Sequence, residues 1–319
     1  MTANLWLTLG ALSVEAVFSY PQFLYRKIGH PVTYIAAGLT FLEAKLNLAS
    51  ANAQQKRWRG VLALGALLMA TALVSMAITR IMPVGLAGTL LTAVIASSLF
   101  AQRSLYSHVA DVAAALERQD LAAGRITVAK IVGRDPDVLD ASGVARAAIE
   151  SLAENFADGI VAPVFWMAVG GLAGAALYKA INTADSMIGH KNERYRDFGW
   201  ASARLDDWVN LPASRLTAAL LLIVAPSGRR HAAFQALRRD AKKHRSPNAG
   251  WPESAMAGAL DLQLAGPRIY AGEIVPDAFM GHGRRDATAA DIRTGLRLYR
   301  RACILQFMLV LALVVIARV

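Results

Sequence analysis

Apolar positions along this chain gather into long runs separated by short, strongly polar segments. Gly60 to Thr79 (GVLALGALLMATALVSMAIT) holds no charge and ends at Arg80. Val84 to Ala101 follows after the turn Arg80-Ile81-Met82-Pro83, so the two read as a helical hairpin. Ala302 to Ala317 lies between Arg301 and Arg318. A bilayer core of about 30 Å takes about 20 helical residues, which brings these runs to membrane-spanning size. Ile160 to Ile181 is a further run, broken by Pro163, Gly170-Gly171 and Gly174 and carrying Lys179 near its end. Those breakers predict a bent or re-entrant segment, tolerated at membrane depth where protein covers the freed backbone. Leu5 to Phe18, interrupted by Glu15, and Leu211 to Pro226 are shorter candidates. The former lacks a basic flank and a small-residue cleavage site, so it reads as a retained helix rather than a signal peptide.

Between these runs, residues 102–150 read as a soluble amphipathic helix, turn and helix. VADVAAALERQDLAAGR is followed by the loop GRDPD and a helix capped by Asp140 or Ser142. The remaining polar segments are basic. Residues 45–59 carry Lys45, Lys56, Arg57 and Arg59; residues 229–245 hold seven Lys or Arg against Asp240; residues 284–301 hold six Arg against two Asp. Basic loops stay in the cytoplasm, so all three are expected to face inward, against anionic headgroups.

Composition sharpens this picture. Of 319 residues 55% are apolar and 18% charged, against a usual charged share of about 25%, and the mean hydropathy is +0.37. A disordered chain is excluded. The single Cys303 excludes a disulfide framework and a thiolate zinc cluster. The net charge of +11 belongs to the inward loops, and no nucleic-acid-binding motif accompanies it. The expected architecture is an all-α, multi-pass integral membrane protein, one domain over 1–319, with a polar helical portion facing the cytoplasm.

Candidate chemistry surrounds the broken run. On its near side Arg146, Glu150, Glu154 and Asp158 recur every four residues, on one helical face, with Asn155 beside them. Three stacked carboxylates repel unless a cation covers them. A solvated acidic face paired to Arg146 is the plain reading, and a hard cation such as Mg²⁺ held by oxygen ligands is the sharper one. On the far side Tyr178, Asn182 and Asp185 share a face, with Lys179 and Ser186 adjoining; Lys191, Arg194, Arg196, Arg204, Asp206-Asp207, Asn210 and Arg215 follow. Paired aspartates offer metal oxygens, and the cations offer phosphate partners. A third patch joins Asp240, His244, Ser246, Asn248 and Glu253 through a loop broken by Pro and Gly. No Gly-x-x-x-x-Gly-Lys-Ser/Thr phosphate loop and no Gly-x-Ser-x-Gly elbow occurs.

Three stretches, ESLAENFADGIVAPVFW, YKAINTADSMIGHKNERYRDFGWASARLDDWVNLPASRL and RDAKKHRSPNAGWPESAMAGAL, resemble the signature blocks of the CobD/CbiB family of cobalamin biosynthesis. His30-Pro31-Val32 and the region of Glu43 resemble its amino-terminal block. The resemblance implies an adenosylcobinamide-phosphate synthase, a membrane-bound, ATP-dependent acid–amine ligase. Such an enzyme joins adenosylcobyric acid to (R)-1-amino-2-propanol or its O-phosphate. The chain departs from the family where Ser19-Tyr20-Pro21 replaces Gly-Asp-Pro, where His190 replaces Tyr, and where Ala265-Gly266 replaces Gly-Gly.

A carboxylate and an ammonium do not condense in water, so ATP must activate the acid, most simply as an acyl phosphate. That step needs a divalent ion and cationic clamps, and the attack needs a base. On this reading Glu150, Glu154 and Asp158, with Asp206 or Asp207, hold Mg²⁺. Lys179, Arg204 and Arg215 face phosphates, and Asp185 or His244 takes the amine proton. Asn155, Tyr178, Asn182, Ser186 and Asn248 complete the substrate and ATP set. Both blocks are expected to meet at one cytoplasm-accessible site of the inner membrane. A transporter and a non-catalytic scaffold for corrinoid enzymes are the rival classes, and other pathway enzymes or a second copy are the partners left open.

Overall fold

The computed structural model describes every residue except Met1, Ser19, Arg134, Ala271, Gly272, Pro276, Arg318 and Val319. Ser19 of the Gly-Asp-Pro departure, Arg134 of the GRDPD loop and the closing Arg318 therefore lie outside the described residues. In chain order the helices are α1 (Thr2–Val17), α2 (Gln22–Ile28), α3 (Pro31–Leu46), α4 (Ala53–Ile81), α5 (Leu86–Ser97), α6 (Gln102–Glu117), α7 (Leu121–Val128) and α8 (Ala141–Phe156). A π turn, Ala157–Val161, leads into α9 (Ala162–Ile188), followed by α10 (Trp200–Val209), α11 (Leu211–Val224), α12 (Arg230–Asp240) and α13 (Gly250–Leu260). Four short strands, β1 (Leu264–Ala265), β2 (Arg268–Tyr270), β3 (Glu273–Val275) and β4 (Phe279–Met280), precede α14 (Ala289–Ile316). They pair antiparallel as β1 with β4 and β2 with β3.

Helical stretches Ala53–Ile81, Leu86–Glu117, Ala141–Ile188 and Ala289–Ile316 are long and apolar enough to cross a membrane; α10 with α11 makes a fifth if the pair is one span. The protein is an all-α, multi-pass membrane protein, as its runs predict. α1 and α11, of 16 and 14 residues, rise only about 24 and 21 Å at 1.5 Å per residue, short of a full crossing. The chain sorts into two compact units that interleave in sequence: residues 1–101, 162–210 and 310–319, and residues 102–161 and 211–309.

In the first unit, local chemistry sets the helix starts. The His30 ring accepts from the Val32 N–H and Thr33 answers it, with Pro31 in the first turn of α3. Asn52 and Gln55 form the same reciprocal cap on α4. Because α4 starts at Ala53, Lys56, Arg57 and Arg59 belong to its first turns rather than to a loop. The expected α4–α5 hairpin takes a different form. α4 packs on α3, α9 and α10, while α5 packs chiefly on α1. A core of Leu39, Leu64, Leu67, Ala180, Ile188 and Phe198 holds α3, α4 and α9 together. Gly60 permits this approach, since a Cβ there would lie 1.9 Å from the Phe198 carbonyl oxygen. The bend expected in the broken run falls at Gly171, whose φ of 62° interrupts α9. Asn4 Nδ2 donates to the Val169 carbonyl there, at 3.1 Å.

In the second unit α6, α7 and α8 pack on one another, and α13 packs on α8, α11 and α12. The segment read as one amphipathic helix breaks in two at Gln119, at φ 57°, and Asp120 caps α7. Asp140 caps α8, its Oδ1 accepting from the Gly143 N–H at 2.6 Å. The first turns of α14 join this unit: the Tyr299 hydroxyl donates to the Gln102 carbonyl at 2.7 Å, and its ring meets Phe156 edge-on.

Candidate active site

The first unit gathers its polar residues where α9 ends and α10 runs beside it. Asp206 is buried inside a cage of amides. Asn210 Nδ2 donates to its Oδ2 at 3.0 Å, and Asn182 Nδ2 approaches its Oδ1 at 3.4 Å. The Tyr178 hydroxyl, on a fully buried ring, donates to Asn210 Oδ1 at 2.8 Å. Asp185 and Asp207 lie near enough to act on Asp206 through their charges, and Arg204 and Lys191 act on Asp207. One carboxylate oxygen of Asp185 lies against Gly189, where a Cβ would stand 1.9 Å from it. Ser186 is exposed and donates to the Asn182 carbonyl of its own helix at 2.8 Å. Lys179 is half-buried; burial first, and then its charge, hold the His30 ring below the usual histidine range.

The segment between α9 and α10 is tied down by ion pairs. Arg194 meets Glu43 at 2.7 Å, and Arg57 meets Asp197 at 3.0 Å. The hydrogen bond to Glu43, then its charge, raise the Arg194 guanidinium above its ordinary value. Glu43 thus has a definite task, the anchoring of this segment on α3.

In the second unit α8 carries the acidic face. Glu154 is exposed, and Asn155 and Asp158 are half-buried. Glu150 is buried, and its Oε1 accepts from the Ala265 N–H at 2.8 Å. Ala265 stands at φ 56°, so Glu150 holds the strained residue that ends β1. Asn155 Nδ2 donates back to the Ser151 carbonyl and hydroxyl, each at 2.8 Å. Asp158 falls in the π turn, whose extra residue shifts the helical phase by about 100° per residue. Such turns recur at functional sites. Among the described residues, no group of three or more His, Cys, Asp or Glu is arranged to hold a metal ion. A three-carboxylate cage on α8 is therefore not what the acids form. Mg²⁺ does not require one: it keeps waters and takes one or two carboxylates plus substrate phosphates. Within the first unit, Asp206, Asp185 and their amides make a set of hard-oxygen groups.

The same unit builds a cation fork. Arg215 Nη1 donates to Ser214 Oγ and Asn248 Oδ1, each at 2.9 Å, and its guanidinium lies 4.6 Å from the Trp251 ring centre. Such a stack holds a planar cation without using its remaining donors. Ser246 Oγ accepts from the Asn248 and Ala249 N–H groups, fixing the loop into α13. The Ser246 N–H donates to His244 Nδ1 at 3.0 Å, with the Ser246 carbonyl 3.4 Å from the same atom. The buried ring turns its Nε2 toward Glu253 Oε1 at 3.7 Å and Asp277 Oδ2 at 3.8 Å.

This composition of buried acids, amides and stacked cations at helix ends is what the three resembling stretches encode, and comparison with known proteins agrees. The CobD/Cbib protein family model matches residues 8–299. The chain belongs to the CobD/CbiB family. "Cobalamin biosynthesis protein CobD" of Rhodobacter capsulatus is 49% identical over 292 residues, covering 92% of this chain and 91% of that one. The protein of the same name from a Sinorhizobium species is 47% identical over 312 residues, covering 96% and 97%. That from Brucella suis is 47% identical over 295 residues, covering 91% and 90%. No solved structure matches.

Within this CobD/CbiB chain the structure draws together two sets of the expected residues. Tyr178, Asn182, Asp185 and Asp206 form one; in the other, Arg215 of α11 bonds to Asn248 of the segment before α13, which also carries His244. Sequence reasoning missed Trp251, Asp277 and the tie from Glu43 to Arg194. Trp251 stands next to Gly250 in the resembling block, and its ring is the only signal it offered; Asp277 lies in no periodic pattern at all.

Proposed function

We propose that this chain acts in cobalamin biosynthesis as an ATP-dependent amide ligase of the cytoplasmic membrane. It joins the free propionate of adenosylcobyric acid to 1-amino-2-propanol or its O-phosphate. Family membership over nearly the whole chain supports the pathway, and the buried Asp206 cage carries the chemical reading. A carboxylate is kept in a buried setting only when hydrogen-bonded and of use. Here two carboxamides hold its oxygens while Asp185 and Asp207 bring further negative charge, an arrangement that gains from a divalent cation.

Bound Mg²⁺ would neutralise phosphate charge as the acid is activated. In the first unit Asp206, with Asp185 or Asp207, would hold it; Glu154 and Asp158 are the candidate ligands of the second unit. Glu150 serves the same set by keeping the Ala265 segment in place. Lys179 and Arg204 bind phosphate as cations, and Arg215, prefixed by its stack on Trp251, presents a fork to phosphate oxygens. Tyr178, Asn182, Asn155, Ser186 and Asn248 orient these charged groups. Asp185 or His244 receives the proton that the amine loses. We assign the site to the cytoplasmic side, where ATP is available and the basic segments lie. A cysteine in place of Ser186 that reacts only with reagent added from outside the inner membrane would overturn that assignment.

The test is direct. Purified protein is incubated with adenosylcobyric acid, Mg-ATP and either amine, and the product is sought by mass. The expected result is the amide, with ATP consumed only when acid and amine are both present and no lipid vesicle is needed. Glu154→Gln should nearly abolish amide formation while the protein still inserts and folds. No amide from the wild type with either amine removes the ligase reading.

A further inference from the structure

The seven cations of residues 229–245 divide into two sets once the chain is folded. Three are engaged within the second unit. Arg229 meets Asp261 at 2.7 Å. Arg239 Nε donates to Asp240 Oδ1 at 2.9 Å, and Lys243 Nζ donates to the same oxygen at 3.1 Å. Asp240 is the only acid in this stretch and is 1% exposed, so it neutralises both partners from beneath. The other four, Arg230, Arg238, Lys242 and Arg245, are exposed. Among the described residues no carboxylate pairs with any of these four.

The packing of α12 sets the direction in which they point. Its Ala233, Ala236 and Leu237 are buried. Gly258 of α13 lets Ala233 come so close that a Cβ at Gly258 would stand 2.4 Å from the Ala233 Cα. That contact turns the opposite face outward. Arg230, Phe234 and Arg238 follow one another at intervals of four residues along it, within about 80° of arc, and Lys242 and Arg245 continue beyond the helix. Phe234 is 47% exposed, with the Arg238 guanidinium 5.8 Å from its ring centre. A ring left open among cations suits the boundary between headgroups and acyl chains, where it enters apolar surroundings while long cationic side chains reach phosphates. The neighbouring surface agrees. α12 begins one 3-10 turn, Ser227–Arg229, after α11 ends, and Ile223 in the last turn of that apolar helix is exposed.

We propose that the outward face of α12, together with Lys242 and Arg245, docks on the headgroups of anionic phospholipid, with Phe234 entering the boundary between them and the acyl chains. A single soluble phosphate is gripped by converging donors. Here Arg230 and Arg238 alone stand about 12 Å apart along the helix axis, a spread complementary to a layer of phosphates. Basic clusters beside an apolar helix or on a surface helix bind anionic leaflets in this way. The proposal concerns the membrane contact of the protein and is independent of the ligase reading.

The test places a fluorophore on α12 of the full-length protein through Gln235→Cys, the native Cys303 being buried. The labelled protein is put into phosphatidylcholine nanodiscs holding a fixed share of brominated phosphatidylglycerol or, in a parallel set, of brominated phosphatidylcholine. Quenching should be stronger with the anionic lipid at equal bromine content. Raising the salt to molar strength should weaken that preference. Each cation at an anionic surface favours contact about fivefold, so Arg230→Gln, Arg238→Gln, Lys242→Gln and Arg245→Gln together should abolish it. Arg239→Gln with Lys243→Gln should keep the preference and lower thermal stability instead, because Asp240 loses its internal partners.

Equal quenching by the two lipids in the wild type overturns the proposal without any variant. A preference that survives in the fourfold variant overturns it, as does one lost in the folded Arg239 and Lys243 variant. Reversal of the quenching by ATP or inorganic phosphate at matched ionic strength would identify a soluble phosphate as the occupant and overturn the lipid assignment.

Discussion

Asp206 in the first unit and Arg215 in the second are held in opposite ways. In the first, the acid is innermost: Asp206 is enclosed by the carboxamides of Asn182 and Asn210, with Tyr178 behind them. In the second, Arg215 lies over the Trp251 ring with one nitrogen fixed by Ser214 and Asn248. An enclosed carboxylate is costly unless every oxygen is served, so its neighbours are rigid amides on two helices. A guanidinium keeps five donors and is weakly hydrated, so an aromatic face and two acceptors hold it while leaving the fork open. The contrast separates an acid enclosed by donors from a cation left with open donors.

The largest effect is expected from Asp206→Ala, which removes the central acceptor. Turnover should fall about thousandfold, as when a preorganised charge partner is lost. The stranded Asn182 and Asn210 amides should cost about 1–3 kcal/mol of stability each, seen in thermal unfolding in detergent. Gly189→Ala should come next. Its Cβ would collide with the Asp185 carboxylate, and the displaced acid should cost about tenfold to hundredfold in kcat. Arg215→Lys keeps the charge but loses the stack and the bidentate geometry. It should raise the ATP or amine-phosphate KM about tenfold while leaving kcat nearly intact. A drop in kcat with KM unchanged would move Arg215 from binding into the chemistry.

The smallest effect at neutral pH belongs to Asp240, which is buried. Burial pushes its carboxyl upward, but hydrogen bonds from Arg239, Lys243 and the Gly281 N–H outweigh that and hold it below the usual carboxylate range. A depressed folded-state value means stability that is present above the unfolded aspartate pKa of about 3.9 and lost as pH falls through the folded value. Unfolding of the wild type should therefore become steeply easier on acidification below about pH 4, and the dependence should be shallower in Asp240→Asn.

Much of the fold was legible in the sequence because lipid imposes a crude demand. Gly60 to Thr79 had to be a helix, having no charge and no other way to satisfy its backbone. The break in the Ile160 to Ile181 run was legible for the same reason, since Gly170-Gly171 has no use in a straight helix. The packing partners were not. Short connections suggest neighbours, yet α5 sits on α1, where Gly10 lets Ala93 approach so closely that a Cβ there would stand 3.1 Å from the Ala93 Cβ. Of the candidate site, Tyr178, Asn182 and Asp185 were legible through helical spacing. Their relation to Asp206 and Asn210 was suggested only by density, because two helices joined by an irregular segment carry no common period. The His244 cluster was half-legible: Glu253 lies within one turn of a conspicuous loop, whereas Asp277 arrives only after the short strands have folded back.

Asn4 gives the amino-terminal helix a duty that length and hydropathy do not reveal. Its amide donates to the Val169 carbonyl two residues before the break at Gly171, so the kink in α9 is braced by a residue of α1. Anyone engineering this protein should regard α1 as irreplaceable by a generic leader. A fusion or truncation that removes the first turn would take that brace from the middle of another helix, and the damage would surface far from the edit.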